Sequence, residues 1–141
     1  MKRIVLIVAV VAASAAFAHE GVKNPVAKAR MDGMMQLGAA TKVLGGMAKG
    51  EAAYDKAAAE AAVQNIKSEA ARIAALFEAN EDDPKSEALP AIWENYADFS
   101  AKADALGSVA KAVSVGSLDD LRAAMPQIGA ACKACHQTYR E

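Results

Sequence analysis

Two cysteines and a histidine near the end of the chain have the types and the spacing to do chemistry together. They form the run Cys132-Lys133-Ala134-Cys135-His136, a Cys-x-x-Cys-His motif. On a helix, two thiols at this spacing can bond to the two vinyl groups of one haem, and the next residue can direct an imidazole at the iron. The motif therefore predicts one covalently attached haem c, held by Cys132 and Cys135, with His136 as an axial iron ligand.

Two other uses of a Cys-x-x-Cys pair fit this sequence less well. A structural zinc site takes four ligands, and no second cluster of cysteine or histidine accompanies the motif. A thioredoxin-like redox pair belongs to an alternating pattern of strands and helices, and no strand pattern is visible. Disulfide chemistry and metal binding therefore stay as the minor alternatives to haem attachment.

The first 18 residues have the order of a secretory signal peptide. Lys2 and Arg3 precede an apolar run over residues 4–13, and Ala16-Phe17-Ala18 supplies the small residues that signal peptidase requires. We therefore expect residues 1–18 to be a cleaved signal and residues 19–141 to form one domain. The alternative is an uncleaved N-terminal anchor, although the apolar run is short for a membrane span. Export of the mature chain predicts the periplasm.

The charge of the mature chain argues against nucleic acid as a partner. The sequence has 16 basic and 17 acidic residues, and loss of Lys2 and Arg3 leaves 14 against 17, a formal charge of −3. No basic patch stands out, whereas nucleic-acid-binding domains usually carry one.

The mature chain reads as helix throughout, because it is rich in good helix formers and shows no sustained alternation of period two. Four helices are predicted: 25–48 after the cap Asn24, 55–79, 90–116 and a last helix capped by Ser117. Short connections between long helices favour an all-α fold, an antiparallel up-down-up-down four-helix bundle.

Helical periodicity places the two cysteines on the buried side of the last helix. The spacing alternates between three and four residues along its apolar positions, which are Leu118, Leu121, Met125, Ile128, Cys132, Cys135 and Tyr139. Comparable apolar faces run along the second helix (Val63, Ile66, Ala70, Ile73, Phe77) and the third (Ile92, Tyr96, Phe99, Ala103, Leu106, Ala110, Val113). The rest of the core is mostly alanine, so a large flat cofactor between the helices would fill it.

These residues together resemble the cytochrome c′ family, the four-helix-bundle cytochromes c. The resemblance covers nearly all of the mature chain, and its strongest part is the tail from residue 118 to Tyr139-Arg140, which includes the haem motif. Lys49-Gly50-Glu51 and Tyr54-Asp55 are similar to the family's first connection, and Pro90, Ile92 and Trp93 to the start of its third helix. The resemblance implies haem c bound near the C-terminal end, His136 as the solvent-side axial ligand, and often a homodimer.

The resemblance also implies two functional branches. In one branch an apolar side chain blocks the other haem face, the iron is five-coordinate, and the protein binds nitric oxide or carbon monoxide. In the low-spin branch a methionine of the first helix is the sixth ligand, and the protein carries electrons. The low-spin branch is our prediction for this chain, with the gas-binding branch as the alternative.

Three methionines of the first helix compete for the sixth position. Aligned from the first connection, the family's ligand position falls on Met34, and its propionate-binding arginine falls on Arg30, one turn earlier. A thioether opposite an imidazole is a stable pair for low-spin haem. Met31 and Met35 are the reserve candidates, and all three could also be core filler.

The remaining polar candidates each allow two interpretations. Arg140 could lie near His136 or a haem propionate, or could simply be a favourable cation at a helix C-terminus. Trp93 could line the haem edge or belong to the core with its indole N–H bonded to a nearby acceptor. His19, the other histidine, is interpreted as part of a frayed terminus. Without a distal histidine for acid–base chemistry, we expect an electron carrier with redox protein partners, not an enzyme.

Overall fold

Five α-helices and their connections make up residues 21–141, the part of the chain that this computed structural model describes. They are α1 (Pro25–Lys49), α2 (Lys56–Leu76), α3 (Ala91–Glu94), α4 (Tyr96–Ala112) and α5 (Leu118–Tyr139). The four long helices pack in a ring, in which α1 contacts α2, α2 contacts α4, α4 contacts α5 and α5 contacts α1. This arrangement confirms the predicted all-α, up-down-up-down four-helix bundle.

Two sequence-based predictions concern residues outside the described part of the chain. They are the signal peptide at residues 1–18 and the terminal His19. Among the described helices, none combines the length and the apolar character that a membrane span requires.

Capping residues begin the long helices at the predicted places. The side chains of Asn24, Asp55 and Ser117 each accept a hydrogen bond from a backbone N–H two or three residues later. These bonds satisfy N–H groups that the first helical turn leaves without a partner. Gly50 ends α1 in the left-handed conformation, with φ of 79°, a backbone state that glycine adopts without steric cost.

Three features of the helices differ from the predicted ones. The second helix ends at Leu76 instead of residue 79. The third is broken at Asn95, whose φ of −130° and ψ of 44° are not helical, and it ends at Ala112 instead of residue 116. Trp93 and Tyr96, on either side of the break, both donate to carbonyls at the end of α2. These long-range bonds explain why a continuous pattern in the sequence becomes the two helices α3 and α4.

The predicted apolar faces form the core. All five predicted positions of the second helix are buried, and Leu121, Ile128 and Tyr139 are buried along α5. Phe99 of α4 lies near the centre, with its ring centroid 5.0 Å from that of Phe77 and 5.4 Å from that of Tyr139. The face of α5 that carries the cysteines therefore points inward.

Gly33 brings α1 and α2 close together. A Cβ atom at Gly33 would lie 3.4 Å from Glu69 Oε2 and 3.4 Å from Leu76 Cδ1. Both distances are at the short end of ordinary contact, so a methyl group would just touch these two side chains and a larger side chain would have to displace them. No comparable closeness holds α1 to α5, and the candidate site lies between these two helices.

Candidate haem site

A cavity of about 930 Å³ opens between α1 and α5, which are the least closely packed neighbours in the ring. The cavity has the size of the larger cofactor pockets in proteins. Cys132, Cys135 and His136 line it from α5, and Met34 lines it from α1. The residues that the sequence singled out for haem attachment and iron ligation therefore share one space.

The three motif residues on α5 differ in how deeply they are buried. Both cysteines are free thiols and half-buried, whereas His136 is exposed at the cavity mouth. Burial raises the pKa of both thiols, although the Lys102 cation opposes this shift at Cys135. The raised pKa keeps both thiols protonated at neutral pH, and both residues line the cavity that would hold a haem.

The imidazole of His136 is held in the neutral form that can bind a metal. Protein atoms around the exposed ring still remove part of its hydration, which lowers its pKa; the charge of Arg140 lowers it further, and the charge of Glu87 opposes both. Neutral imidazole is the form of histidine that donates a nitrogen lone pair to iron.

Two contacts fix the register between α1 and α5. A methyl group at Gly45 would lie 3.8 Å from Met125 Cε. Three residues later in α1, the Ala48 carbonyl accepts a 3.1 Å hydrogen bond from Arg122, three residues earlier in α5. Both contacts agree with one antiparallel register, in which Gly45 pairs with Met125 and Ala48 pairs with Arg122.

Counting along both helices from these contacts pairs Met34 with His136. Eleven residues back from Gly45 along α1 is Met34, and eleven residues forward from Met125 along α5 is His136. The count gives the pairing and not the side-chain positions, because Pro126 lies inside α5 between Met125 and His136. Both residues line the cavity.

Four methionines line the cavity, and they are not equivalent. Met31, Met34 and Met35 come from α1, and Met125 comes from α5. Of the three on α1, Met34 is the one that packs against the buried core. Among the three predicted candidates for the sixth iron ligand, Met34 is therefore the innermost. Sequence analysis did not identify Met125 as a candidate.

Arg30 lines the same cavity, but three of its donors already have partners. Its side chain is 2% exposed and donates to the carbonyl of Leu76 at 2.8 Å, of Glu81 at 2.6 Å, and of Ala79. Desolvation lowers the pKa of the guanidinium, which stays far above neutrality. Arg30 therefore links the end of α2 to α1 through these hydrogen bonds. Binding of a haem propionate by Arg30 stays a prediction.

The aromatic ring of Trp93 packs against the guanidinium of Arg30. The guanidinium carbon of Arg30 lies 5.1 Å from the Trp93 ring centroid and 4.9 Å from that of Phe77. The indole N–H donates to the carbonyls of Phe77 and Ala79 at 2.9 and 3.1 Å. Trp93 is partly buried and packs against the core with its indole N–H bonded, and its role at the haem edge stays a prediction.

A hydrogen-bonded group that sequence analysis did not identify supports the motif end of α5. The Tyr139 hydroxyl donates to Asp98 Oδ2 at 2.5 Å, and Lys102 donates to both carboxylate oxygens of Asp98 at 2.7 and 2.8 Å. The bond to Asp98 raises the pKa of Tyr139 to about 12. The spacing of Asp98 and Lys102 indicates a helical ion pair, but nothing local in the sequence connects either to Tyr139.

The space beside the cysteines suits a flat apolar group. Apolar side chains of the core, including Phe77, Phe99 and Leu106, form its inner wall. Gly38 also lines it, and a Cβ atom there would meet nothing within 4 Å. An apolar slot with two thiols and one imidazole fits the donor set and shape of haem c.

Comparison of this sequence with known proteins relates it to one family of cytochromes. Residues 25–140 match the sequence profile of the family described as Cytochrome C'. Cytochrome c-556 of Agrobacterium fabrum (strain C58) is 42% identical to this chain over 115 residues, covering 79% of this chain and 78% of the relative.

Solved structures agree with these sequence matches. Oxidized cytochrome c556 of R. palustris superposes with a TM-score of 0.77 and 29% identity, covering 84% of this chain and 98% of that chain. The nitric oxide complex of a mutant cytochrome c prime from Alcaligenes xylosoxidans superposes with a TM-score of 0.72 and 32% identity, covering 82% and 94%. The chain belongs to the cytochrome c′ family, whose members carry covalently attached haem c.

Proposed function

We propose that the protein is a one-electron carrier whose haem iron is low-spin and six-coordinate, with Met34 and His136 as axial ligands. The haem supplies an iron atom that changes oxidation state by one electron. The chain's own part is to hold that iron between two fixed side chains, so that little rearrangement accompanies electron transfer. Cys132 and Cys135 hold the cofactor in this proposal, and Arg30 holds a propionate.

The relation between Met34 and His136 is the observation that carries the proposal. Both residues line one cavity, and counting along the antiparallel helices α1 and α5 pairs them. Met34 is partly buried and, unlike Met31 and Met35, packs against the core. A fixed thioether opposite an imidazole favours reduced iron and keeps other ligands off the metal.

Substitution of the methionines tests this proposal. Met34→Ala should open the sixth position, convert the iron to high spin and lower the reduction potential, because a ligand that favours reduced iron is lost. Met31→Ala and Met35→Ala are the matched controls and should leave the absorption spectrum almost unchanged. A spectral change in Met35→Ala alone would place the ligand one residue further along α1 and would overturn the assignment of Met34.

Gas binding is the second candidate function. Its support is that the cavity lining continues along α1 past Met34, through small residues that include Gly38, Thr41 and Gly45. The structural neighbour from Alcaligenes xylosoxidans, a mutant cytochrome c prime, was solved as a nitric oxide complex. In this alternative Met34 lies beside the iron without binding it.

We also propose where and with what the protein acts. The predicted signal peptide places it in the periplasm, where it exchanges electrons with redox proteins and catalyses no reaction of its own. A homodimer is a further proposal. Its support is the small-residue strip of α1, where Ala39 is exposed outside the cavity lining and another helix could approach closely. Sedimentation equilibrium of the haem-loaded protein tests the dimer.

A further inference from the structure

The chain's end is held against the connection that follows α2, beside His136. The amide of Leu89 donates to the Tyr139 carbonyl at 3.1 Å, and the amide of Glu141 donates to the Glu87 carbonyl at 3.0 Å. Ala88 and Arg140 pair across this antiparallel bridge. The bridge brings residues 87–89 to the cavity edge from a position about 50 residues earlier in the chain.

The bridge places an ion pair at the rim of the haem cavity. Arg140 Nε donates to Glu87 Oε2 at 2.5 Å, and the Arg140 Nη2 group contacts the same oxygen. Glu87, Arg140 and His136 all line the cavity. Arg140 is also one helical turn beyond His136, and its amide donates to the His136 carbonyl at 3.2 Å.

Stability does not account for this ion pair. The two side chains are 51% and 56% exposed, and exposed ion pairs contribute little to folding because water and salt screen them. The backbone bonds of the bridge already hold the two segments together. What the pair does fix is the position of two opposite charges beside the proposed axial histidine.

We propose that Glu87 is a positioning residue that holds and compensates the Arg140 charge next to His136, and that it thereby lowers the reduction potential of the haem iron. An uncompensated cation near the iron disfavours the more positive oxidised state and raises the potential. The Glu87 carboxylate cancels most of that effect. This inference rests on the proposed ligation of the iron by His136.

Redox titration of the haem-loaded protein tests the inference. Glu87→Gln should raise the midpoint potential, and Arg140→Gln should lower it. The double variant should lie closer to wild type than either single variant does, because it removes both charges together. Glu60→Gln is the matched control, since Glu60 forms an exposed ion pair with Lys56 on α2, away from the cavity lining. Its potential should equal that of wild type.

Salt distinguishes a charge effect from a rearrangement. The shift in Glu87→Gln should shrink as ionic strength rises, because a half-exposed charge is screened. A midpoint potential equal to that of Glu60→Gln, a fall instead of a rise, or a shift that salt does not change would each overturn the proposal.

Failure of this inference is separable from failure of the proposed function. The visible spectrum of each variant reports the axial ligands, whereas the midpoint potential reports the charge pair. If wild-type iron is high-spin, the assignment of Met34 fails, but the order of potentials among the Glu87 and Arg140 variants still tests the role of Glu87.

Discussion

Met125 of α5 lies against Gly45 of α1, and this contact sets the register of the two helices that flank the haem cavity. With the Arg122 bond to the Ala48 carbonyl, it pairs the α1 methionines with the motif end of α5. The contact itself is two helical turns from Cys132. The predictions below test the attachment, the packing and the charges that follow from this arrangement.

Covalent attachment should depend on the two half-buried thiols. Haem-dependent peroxidase staining should survive on a denaturing gel for the wild-type protein and disappear for the variant with both Cys132→Ala and Cys135→Ala, because no thioether can form. Lys133→Ala, an exposed position between them, should keep the stain. Staining that persists without both cysteines would contradict attachment at this motif.

Gly33 should tolerate substitution poorly. Gly33→Leu should lower the free energy of unfolding by about 1–3 kcal/mol, because the added side chain enters the tight space between α1 and α2. The control is Gly129→Ala in α5, where a Cβ atom meets nothing within 4 Å. It should raise stability by about 0.5–1 kcal/mol through helix propensity. Chemical denaturation measures both, and equal effects would contradict the close approach.

Loss of Arg30 should weaken the connection between α1 and α2. Arg30→Ala removes a donor from three carbonyls, of which that of Ala79 keeps its bond from Trp93, and should cost about 1–3 kcal/mol of unfolding free energy. Lys28→Ala removes an exposed ion pair on the same helix and should cost less than about 1 kcal/mol. If Arg30 also binds a propionate, its loss lowers the midpoint potential. An unchanged potential would leave Arg30 its structural role and remove the propionate role.

Protonation of Asp83 at low pH should weaken the contacts that hold the start of α1. Hydrogen bonds from the amides of Asn24, Lys85 and Lys23 lower the pKa of Asp83 below its usual value of about 3.9. A lowered folded pKa gives stability that is present above about pH 4 and is lost as pH falls through the folded value. Asp83→Asn should therefore melt lower than wild type at pH 7, with the difference shrinking below about pH 4.

Thermal melts across this pH range, followed by circular dichroism, measure the effect. Asp104→Asn is the control, because Asp104 is exposed on α4. Its melting curve should follow that of wild type at every pH. A constant difference between Asp83→Asn and wild type down to pH 2.5 would contradict the role of the carboxylate charge.

The sequence predicted the parts of this molecule that depend on local pattern. The apolar spacing of α2, the caps Asn24, Asp55 and Ser117, and the inward face of the cysteines all follow from helical periodicity and are confirmed. The break at Asn95 did not follow, because it depends on bonds from Trp93 and Tyr96 to carbonyls of another helix.

The same limit applies to the candidate site. Cys132, Cys135 and His136 were identified because adjacent residues carry the signal. The partners of Arg30 and Arg140 were not, since Leu76 and Glu87 are 46 and 53 residues away in the chain. A pairing at that separation depends on tertiary packing, which residue types and spacing alone do not specify. The ligand role of Met34 comes from family resemblance and stays a prediction.

The visible spectrum of reduced wild-type protein, recorded with and without carbon monoxide, tests the central claim most directly. With Met34 and His136 both bound to the iron, the spectrum should be low-spin and should change only slowly after carbon monoxide is added, because the thioether must first leave. A high-spin spectrum that converts at once to that of a carbon monoxide complex would contradict the electron-carrier account and support gas binding instead.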